Sequence, residues 1–341
     1  MLLIKIEGET ERHLKIESSK NMIINCIICK ETTKFLDNYK FHVNSDIDFF
    51  GQIKIFYCEK CDLAFADPMP PRSRLKFFYE NIYRDVGRPQ YKNLELLEKS
   101  LKSQKNYDYI EYLTHFLNFN NIQNIFDFGS GSGDIGFLLS KKFKHLNLHT
   151  IETDNFSQEI LKKRNYKIYK DFSKIQTKFD LIISTHTLEH LTNLDIIKNF
   201  KKILKKNHYM FFEVPNNLFK VNFLKRPYDS PHLIFFSKKS LEMIEKKFNL
   251  KIFNLSFASY SIEDSFRYMQ KSKETYQFWN KENKINKIQL IKKLIKSILP
   301  NFIIKLWRKL RTKNISSNKN FLKNNENSWC LRVLYENLEG S

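Results

Sequence analysis

The chain has 341 residues, 42% of them hydrophobic, which is enough for one full α/β domain and an accessory module. Its formal net charge of +21 favours an acidic partner, although the abundance of Lys, Asn, Ile and Phe is also typical of compositional drift. No apolar run approaches the roughly 20 residues of a membrane span, and the first residues lack the features of a signal peptide. We therefore expect a cytoplasmic protein, in which cysteines serve as ligands more often than as disulfides.

Two Cys-x-x-Cys pairs, Cys26/Cys29 and Cys58/Cys61, are separated by 28 residues. Four thiolates in this pattern are the ligand set of a tetrahedral structural Zn²⁺. The separation is longer than in most zinc ribbons and requires an extra turn or strand. The alternatives are unrelated thiol pairs or a redox site, but a redox pair would begin a helix beside a β-α-β unit. We predict a zinc-ribbon module over residues 1–68 with no open coordination position.

A helical connection is predicted over residues 69–118. The prolines of Asp67-Pro-Met-Pro-Pro71 end the first module, and a helix containing Tyr79 and Tyr83 follows. Apolar residues then recur at helical spacing up to Leu117. We expect this connection to cover the acceptor side of the catalytic cleft.

The sequence Asn-Ile-Phe-Asp-Phe-Gly-Ser-Gly-Ser-Gly at 124–133 organises the rest of the chain. Gly129, Gly131 and Gly133 follow an apolar strand and precede a helix, so the backbone can turn sharply beside a ligand at the helix N-terminus. The spacing is neither the dinucleotide fingerprint nor a P-loop. Asp127 before the loop and Glu152 after the next strand, where a carboxylate accepts ribose hydroxyls, favour an amino-acid-bearing nucleoside. The alternative is a generic Rossmann turn that binds another nucleotide or nothing.

Three further strands are predicted before residue 216. The first ends in Asp171 and Phe172, the second is followed by Thr185, His186, Glu189 and His190, and the third ends in Glu-Val-Pro-Asn. The order of these motifs resembles class I S-adenosylmethionine-dependent methyltransferases over roughly residues 119–260. The resemblance implies a Rossmann-like seven-stranded α/β sheet and S-adenosylmethionine as cofactor. It also assigns Asp171 and Phe172 to the adenine and Thr185 to the cofactor.

A basic helical insertion is predicted over residues 262–325. The strand after residue 250 finds its antiparallel partner only at 329–335, which gives a methyltransferase domain of 119–261 and 326–341. The insertion holds 16 Lys and Arg against 4 Asp and Glu. Its segment 287–313 has nine basic residues, no acid and apolar residues at helical spacing. This segment is either an interfacial helix on the anionic inner face of a membrane, or a helix packed on its own domain or a second subunit.

Two chemical interpretations fit His186, Glu189 and His190, which a helical turn would place on one face. In the first, His190 is a general base that Glu189 orients. In the second, the three residues bind a metal, since His-x-x-Glu-His is similar to the Glu-x-x-Glu-His of the metal-dependent O-methyltransferases of ubiquinone synthesis and of small-RNA 3′ ends. His232 is then the fourth ligand. A third possibility is that Glu-His only caps the loop. We favour the acid–base role because no further carboxylate is evident.

The cysteine pairs, the Pro-x-Pro turn and the Tyr-rich helix resemble sugar C-methyltransferases and methyltransferases of surface-polysaccharide clusters. The resemblance implies methyl transfer to a sugar that is nucleotide-linked or part of a lipid-linked glycan. An RNA or DNA methyltransferase is the alternative, but the [DN]-P-P-[YF] loop and a Pro-Cys nucleophile are missing, which argues against nucleic acid. A non-catalytic scaffold would not need the glycine loop with Glu152.

Overall fold

The computed structural model describes residues 23–39, 53–83, 101, 103–216, 232–258, 328 and 330–339. The predicted insertion 262–325, with its basic segment 287–313, lies outside the described residues. Among the helices within these ranges, none combines the length and the apolar character that a membrane span requires.

Eleven strands and six α-helices make up the described part of the chain. The strands are β1 (Lys34–Tyr39), β2 (Ile53–Cys58), β3 (Leu63–Asp67), β4 (Asn124–Phe128), β5 (Asn147–Ile151), β6 (Tyr166–Ile168), β7 (Phe179–Thr185), β8 (Leu204–Pro215), β9 (Ile234–Phe235), β10 (Leu250–Ala258) and β11 (Cys330–Asn337). The helices are α1 (Arg72–Phe77), α2 (Gln104–Phe116), α3 (Asp134–Lys142), α4 (Asn155–Lys163), α5 (Ile196–Ile203) and α6 (Lys238–Phe248).

The larger sheet has seven strands in the order β10-β11-β8-β7-β4-β5-β6. Strands β4 to β8 are parallel, whereas β11 runs antiparallel to both β8 and β10. This arrangement confirms the predicted Rossmann-like seven-stranded α/β fold. It also confirms the pairing of the last two strands, in which Leu250 lies opposite Asn337 and Ala258 opposite Cys330.

Local sequence explains why the central elements form. Strand β7 is apolar and, up to Ser184, buried, as expected for a central parallel strand covered on both faces. Helix α5 buries one face through Ile197, Phe200 and Ile203. Helix α6 begins with a capping box between Ser237 and Ser240.

Because β4 to β8 are parallel, their carboxyl ends meet at one edge of the sheet, where ligands of open α/β sheets bind.

The smaller sheet is antiparallel and has the order β1-β2-β3-β9. Its fourth strand, β9, comes from the chain just before α6, so residues far apart in sequence build this sheet together. The cysteine pairs and Phe65 belong to the same apolar core as Phe126 of the larger sheet and Phe200 of helix α5. The predicted domain boundaries remain predictions, but the two sheets share a continuous core.

Helix α6 also holds the cysteine turns through two lysines. The Lys247 ammonium donates to the carbonyl oxygens of Ile27 at 2.8 Å and Ile28 at 3.1 Å. The Lys239 ammonium donates to the carbonyl oxygen of Glu59 at 3.3 Å. Each cysteine pair is thus tied to helix α6 by charge-assisted hydrogen bonds.

Candidate active site

The glycine loop lies at the carboxyl end of β4 and all three glycines are left-handed, with φ of 64° at Gly129, 55° at Gly131 and 71° at Gly133. A Cβ atom at Gly129 would lie 2.5 Å from Thr187 Cγ2, and one at Gly133 would lie 2.6 Å from Leu161 Cδ2. A Cβ atom at Gly131 would meet nothing within 4 Å. Two glycines are therefore required by packing, and Gly131 leaves backbone open for a ligand.

A partly buried ion pair between Arg164 and Asp134 supports the glycine loop. Arg164 Nη1 donates to the Ser132 carbonyl oxygen at 2.6 Å and to Asp134 Oδ1 at 2.5 Å. Asn106 Nδ2 donates to the other oxygen of Asp134 at 3.1 Å. Asp134 is in the first turn of α3, where a carboxylate is favoured, but no local pattern indicated that Arg164 would be its partner. This pair fixes the loop at the N-terminus of α3.

Glu152 lies against the loop, where the sequence predicted it. Its Oε2 accepts a hydrogen bond from the Gly131 amide at 2.7 Å, and its Oε1 accepts one from the Asp154 amide at 2.9 Å. Burial raises the pKa of Glu152. Burial and the Glu152 charge raise the pKa of Asp127, which is 3% exposed, to about 8. The Glu152 carboxylate and the open backbone at Gly131 fit the ribose and the amino-acid part of S-adenosylmethionine.

The other residues assigned to the cofactor lie at the ends of the next two strands. Asp171 caps a short 3₁₀ turn, and its carboxylate accepts from the Ser173 amide at 2.8 Å. The Phe172 ring packs 5.8 Å from both Phe126 and Phe128. Thr185 is half-buried at the end of β7. Their contacts with adenine and cofactor remain predictions.

The acceptor-side cluster follows β7 and differs from the predicted helical turn. Residues Leu188–His190 form a 3₁₀ turn, and His186 is left-handed with φ of 52°. Glu189 Oε1 is 3.5 Å from His186 Nδ1 and 3.9 Å from His190 Nε2. The backbone thus leaves helical geometry at His186, because that residue turns back toward β8, where its amide donates to the Glu213 carbonyl oxygen at 2.8 Å.

Aromatic rings and a third histidine complete this cluster. The His190 and His232 ring centroids are 4.8 Å apart, so the structure brings these two predicted residues together. The Tyr79 ring lies 6.1 Å from His190 and 5.4 Å from Tyr83. Tyr79 lies in the helical segment after α1 and Tyr83 caps it, and their role as a cover on the acceptor side stays a prediction.

Sequence reasoning missed a buried charge network beneath the cluster. Glu213 Oε1 lies 2.8 Å from His186 Nε2, and Arg332 Nε donates to Glu213 Oε2 at 2.5 Å. The Tyr109 hydroxyl donates to Glu213 as well, and the Arg332 guanidinium lies 4.7 Å from the Tyr109 ring centroid. Cys330 Sγ is 4.0 Å from His186 Nε2. An acid at the end of a parallel strand was the available signal for Glu213, but nothing local indicated Arg332 or Tyr109.

Charges within the network shift the pKa values of its members. Burial opposes ionisation of Glu213, but Arg332 and His186 hold the pKa of Glu213 well below its usual range. Burial likewise opposes ionisation of Glu189, and His186 and His190 lower its pKa. Burial and Lys105 oppose protonation of His186, yet its contacts with Cys330 and Glu189 raise its pKa well above the usual value.

The four cysteine Sγ atoms lie within 4.8 Å of one another. Cys26 Sγ is 3.8 Å from Cys61 Sγ, and Cys29 Sγ is 3.6 Å from Cys58 Sγ. Sulfur atoms about 2.3 Å from a tetrahedral Zn²⁺ are about 3.8 Å apart, so these two distances match the spacing of zinc ligands. The Ile28 and Cys61 amides donate to Sγ atoms at 3.4 Å. Lys30 and Asp62, directly after each pair, are both left-handed, so the two turns have the same form.

A second group of donor atoms comes from Glu189, His190 and His232, which lie within 4.8 Å of one another. Two ligands of one octahedral divalent ion with bonds of about 2.1 Å lie about 3 Å apart when adjacent and about 4.2 Å apart when opposite. Glu189 Oε1 and His190 Nε2 are 3.9 Å apart, which lies within this range. The group contains a single carboxylate, so the acid–base role stays the favoured prediction and metal binding the alternative.

Comparison with known proteins agrees with this geometry. Residues 92–255 match the family model of a methyltransferase domain. With the glycine loop, the carboxylate beside it and the strand order, residues 92–255 form an S-adenosylmethionine-dependent methyltransferase domain. The comparison with curated proteins gives no match.

Two solved structures illustrate the similarity. Coclaurine N-methyltransferase, bound to N-methylheliamine and SAH, is 16% identical over 67% of this chain and 70% of that chain, with a TM-score of 0.41. The O-methyltransferase of a trans-AT PKS multienzyme of Brevibacillus brevis, in complex with S-adenosyl-L-homocysteine, is 15% identical over 75% of this chain and 80% of that chain. Its TM-score is also 0.41.

Proposed function

We propose that the chain methylates a sugar, either nucleotide-linked or part of a lipid-linked glycan, during surface-polysaccharide biosynthesis. The observation that carries this proposal is the cluster of Glu189, His190, His232 and Tyr79 at the carboxyl end of β7. A hydroxyl acceptor needs a proton acceptor beside it, and imidazole is suited to that task near neutral pH. Aromatic rings with a few convergent polar groups are typical of a site for an uncharged ring.

The residues have distinct tasks in methyl transfer. When bound, S-adenosylmethionine supplies an electrophilic methyl group. Glu152 and the backbone at Gly131 hold the nucleoside, and Tyr79 with Tyr83 covers the acceptor, which limits both partners to a productive orientation. His190 takes the proton from the acceptor hydroxyl as its oxygen becomes bonded to carbon. Glu189, which is 1% exposed, stabilises the resulting imidazolium.

The cysteine site is proposed to bind structural Zn²⁺. All four thiolates are ligands, so no position is left for a substrate. Cys26, Cys58 and Cys61 are buried in the core shared by both sheets, so the ion would stabilise the small sheet in which β9 pairs with β3. Removing the ion should therefore lower stability before it changes the chemistry.

A peripheral location on the inner face of the membrane is proposed from the charge of segment 287–313. Strand β10 ends opposite the first residue of β11, and that residue, Cys330, contacts His186. Ala258 and Cys330, which precede and follow the predicted insertion in the sequence, therefore lie near the acceptor cluster. The negative charge of a diphosphate carrier would complement the positive charge of segment 287–313. Deleting 287–313 should abolish binding to anionic vesicles, and unchanged binding would contradict this location.

Labelled cofactor tests the proposed reaction. The purified protein is incubated with methyl-labelled S-adenosylmethionine and a panel of nucleotide sugars, lipid-linked glycans, RNA and DNA. We expect label in a sugar, and loss of turnover in His190→Ala with binding of S-adenosylhomocysteine retained. His208→Ala is the control, since His208 faces Asp180 at the opposite end of the sheet. Label in nucleic acid would favour the alternative function, and unchanged turnover in His190→Ala would remove that residue from the mechanism.

A further inference from the structure

A series of titratable groups, of which Arg332, Glu213 and Glu189 are buried, runs from strand β11 to the acceptor cluster. Arg332 contacts Glu213 at 2.5 Å, and Glu213 contacts His186 at 2.8 Å. His186 then faces Glu189 at 3.5 Å, and Glu189 faces His190 at 3.9 Å. Both glutamates are 1% exposed. Each link joins groups of opposite charge if His186 carries a proton.

Glu189 is the weakly supported member of this chain. Neither of its carboxylate oxygens has a hydrogen-bond partner among the described residues. A buried carboxylate without hydrogen bonds is costly unless a cation lies beside it. Glu213 is different, because Arg332 and Tyr109 already neutralise and hydrogen-bond it. The groups close to Glu189 that can carry positive charge are His186, His190 and His232.

His186 is the member held most tightly in place. One ring nitrogen faces Glu213 and the other faces Glu189, so neither nitrogen is directed at the substrate that would receive the methyl group. The residue is also left-handed, a conformation that a non-glycine residue adopts only where surrounding contacts hold it. Lys105 and Cys330 are the other charged or titratable groups around the ring.

We propose that His186 is a positioning residue that, as an imidazolium, bridges Glu213 and Glu189 and so holds the Glu189 carboxylate beside His190. The proposal rests on the proposed function, in which His190 accepts the acceptor's proton. It changes the role predicted for His186, which the sequence grouped with the catalytic residues. It also gives Glu213 and Arg332 a function, because they fix the far side of the bridge.

A neutral residue at 186 would leave Glu189 without its cation. Its carboxylate would then favour the protonated imidazole of His190, so less of the base would be available at a given pH. The acidic limb of the kcat/KM profile should therefore move to higher pH, by about one unit for the loss of one neighbouring charge. Affinity for S-adenosylhomocysteine should not change, since His186 lies outside the glycine loop.

His186→Asn tests the proposal, because Asn tolerates the left-handed backbone but carries no charge. We expect kcat at neutral pH to fall at least tenfold, the acidic limb to move upward, and the acceptor KM to change little. His186→Gly is the backbone control, and its acidic limb should move to higher pH by the same amount as that of His186→Asn. His208→Asn, which removes a histidine from the ion pair with Asp180, is the matched control and should leave the profile unchanged.

Combination with Glu189→Gln shows whether His186 acts through Glu189. If it does, adding His186→Asn to Glu189→Gln lowers kcat no further. Additive losses, or a limb that stays in place in His186→Asn, would overturn the proposal. If the variants do not fold, NMR of histidine-labelled wild-type protein decides, because a neutral His186 at pH 8 would also overturn it. Loss of wild-type turnover or of cofactor binding would instead contradict the proposed function.

Discussion

Replacing single glycines of the loop with alanine separates packing from ligand binding. Gly131→Ala places a methyl group where no atom lies within 4 Å, so its cost is the left-handed backbone, about 1–2 kcal/mol. Gly129→Ala has the same backbone cost, and its Cβ would also lie 2.5 Å from Thr187 Cγ2 and 2.7 Å from Thr187 Oγ1. Overpacking of this kind adds about 1–3 kcal/mol. We expect Gly129→Ala to be the less stable variant.

Cofactor affinity should rank the variants differently. The added methyl group of Gly131→Ala enters the space assigned to the ligand, so we expect at least a tenfold loss in affinity, or about 1.4 kcal/mol. Thr187→Ala removes the two atoms nearest to the Gly129 methyl group, so it should restore part of the stability of Gly129→Ala and leave Gly131→Ala unaffected.

Urea unfolding and calorimetric titration with S-adenosylhomocysteine measure the two effects. Wild-type affinity in a stable Gly131→Ala variant would show that the ligand does not use this loop surface. Equal stability of the two variants would refute the role given to Thr187.

Three further predictions concern the ion site, the loop support and the pH dependence of stability. Cys58→Ser should lose the one bound zinc per chain, measured by elemental analysis, and unfold at lower temperature, whereas Cys330→Ser should keep its zinc. Arg164→Met removes the ion-pair partner of Asp134, which keeps its hydrogen bond from Asn106, and should lower the unfolding free energy by about 1–3 kcal/mol in urea; full stability would argue against the ion pair. Burial, with Lys167 nearby, lowers the pKa of His149 to about 4. The folded state is therefore stabilised by neutral His149 above the unfolded pKa of about 6.5, and this contribution to the unfolding free energy is lost as pH falls toward 4. Between pH 7 and 5 the wild type should lose about 2 kcal/mol more than His149→Gln, and parallel curves would contradict this.

Elements defined by local pattern could be predicted from the sequence. The glycine loop, Glu152 beside it and the strand order follow from apolar runs that end in glycine or acid. The pairing of β10 with β11 was predictable because each edge strand needs a partner.

Features that depend on distant residues could not be predicted. Strand β9 joins the small sheet although 166 positions separate Ile234 from Pro68, and nothing in its two residues indicates that partner. The network of Glu213, Arg332 and Tyr109 forms only after β11 has been placed beside β8. The left-handed His186 replaced the expected helical turn because its contacts with β8 outweigh local helical preference.

The most direct test of the cofactor site is calorimetric titration of wild type and Glu152→Ala with S-adenosylhomocysteine. The side chain at 152 is expected to accept the ribose hydroxyls, and hydrogen bonds to a charged acceptor contribute about 1.5–3 kcal/mol. We predict one binding site per wild-type chain and an affinity at least tenfold weaker in the variant. Absence of binding to the wild type, or equal affinity in both proteins, would contradict the assignment of this loop to S-adenosylmethionine.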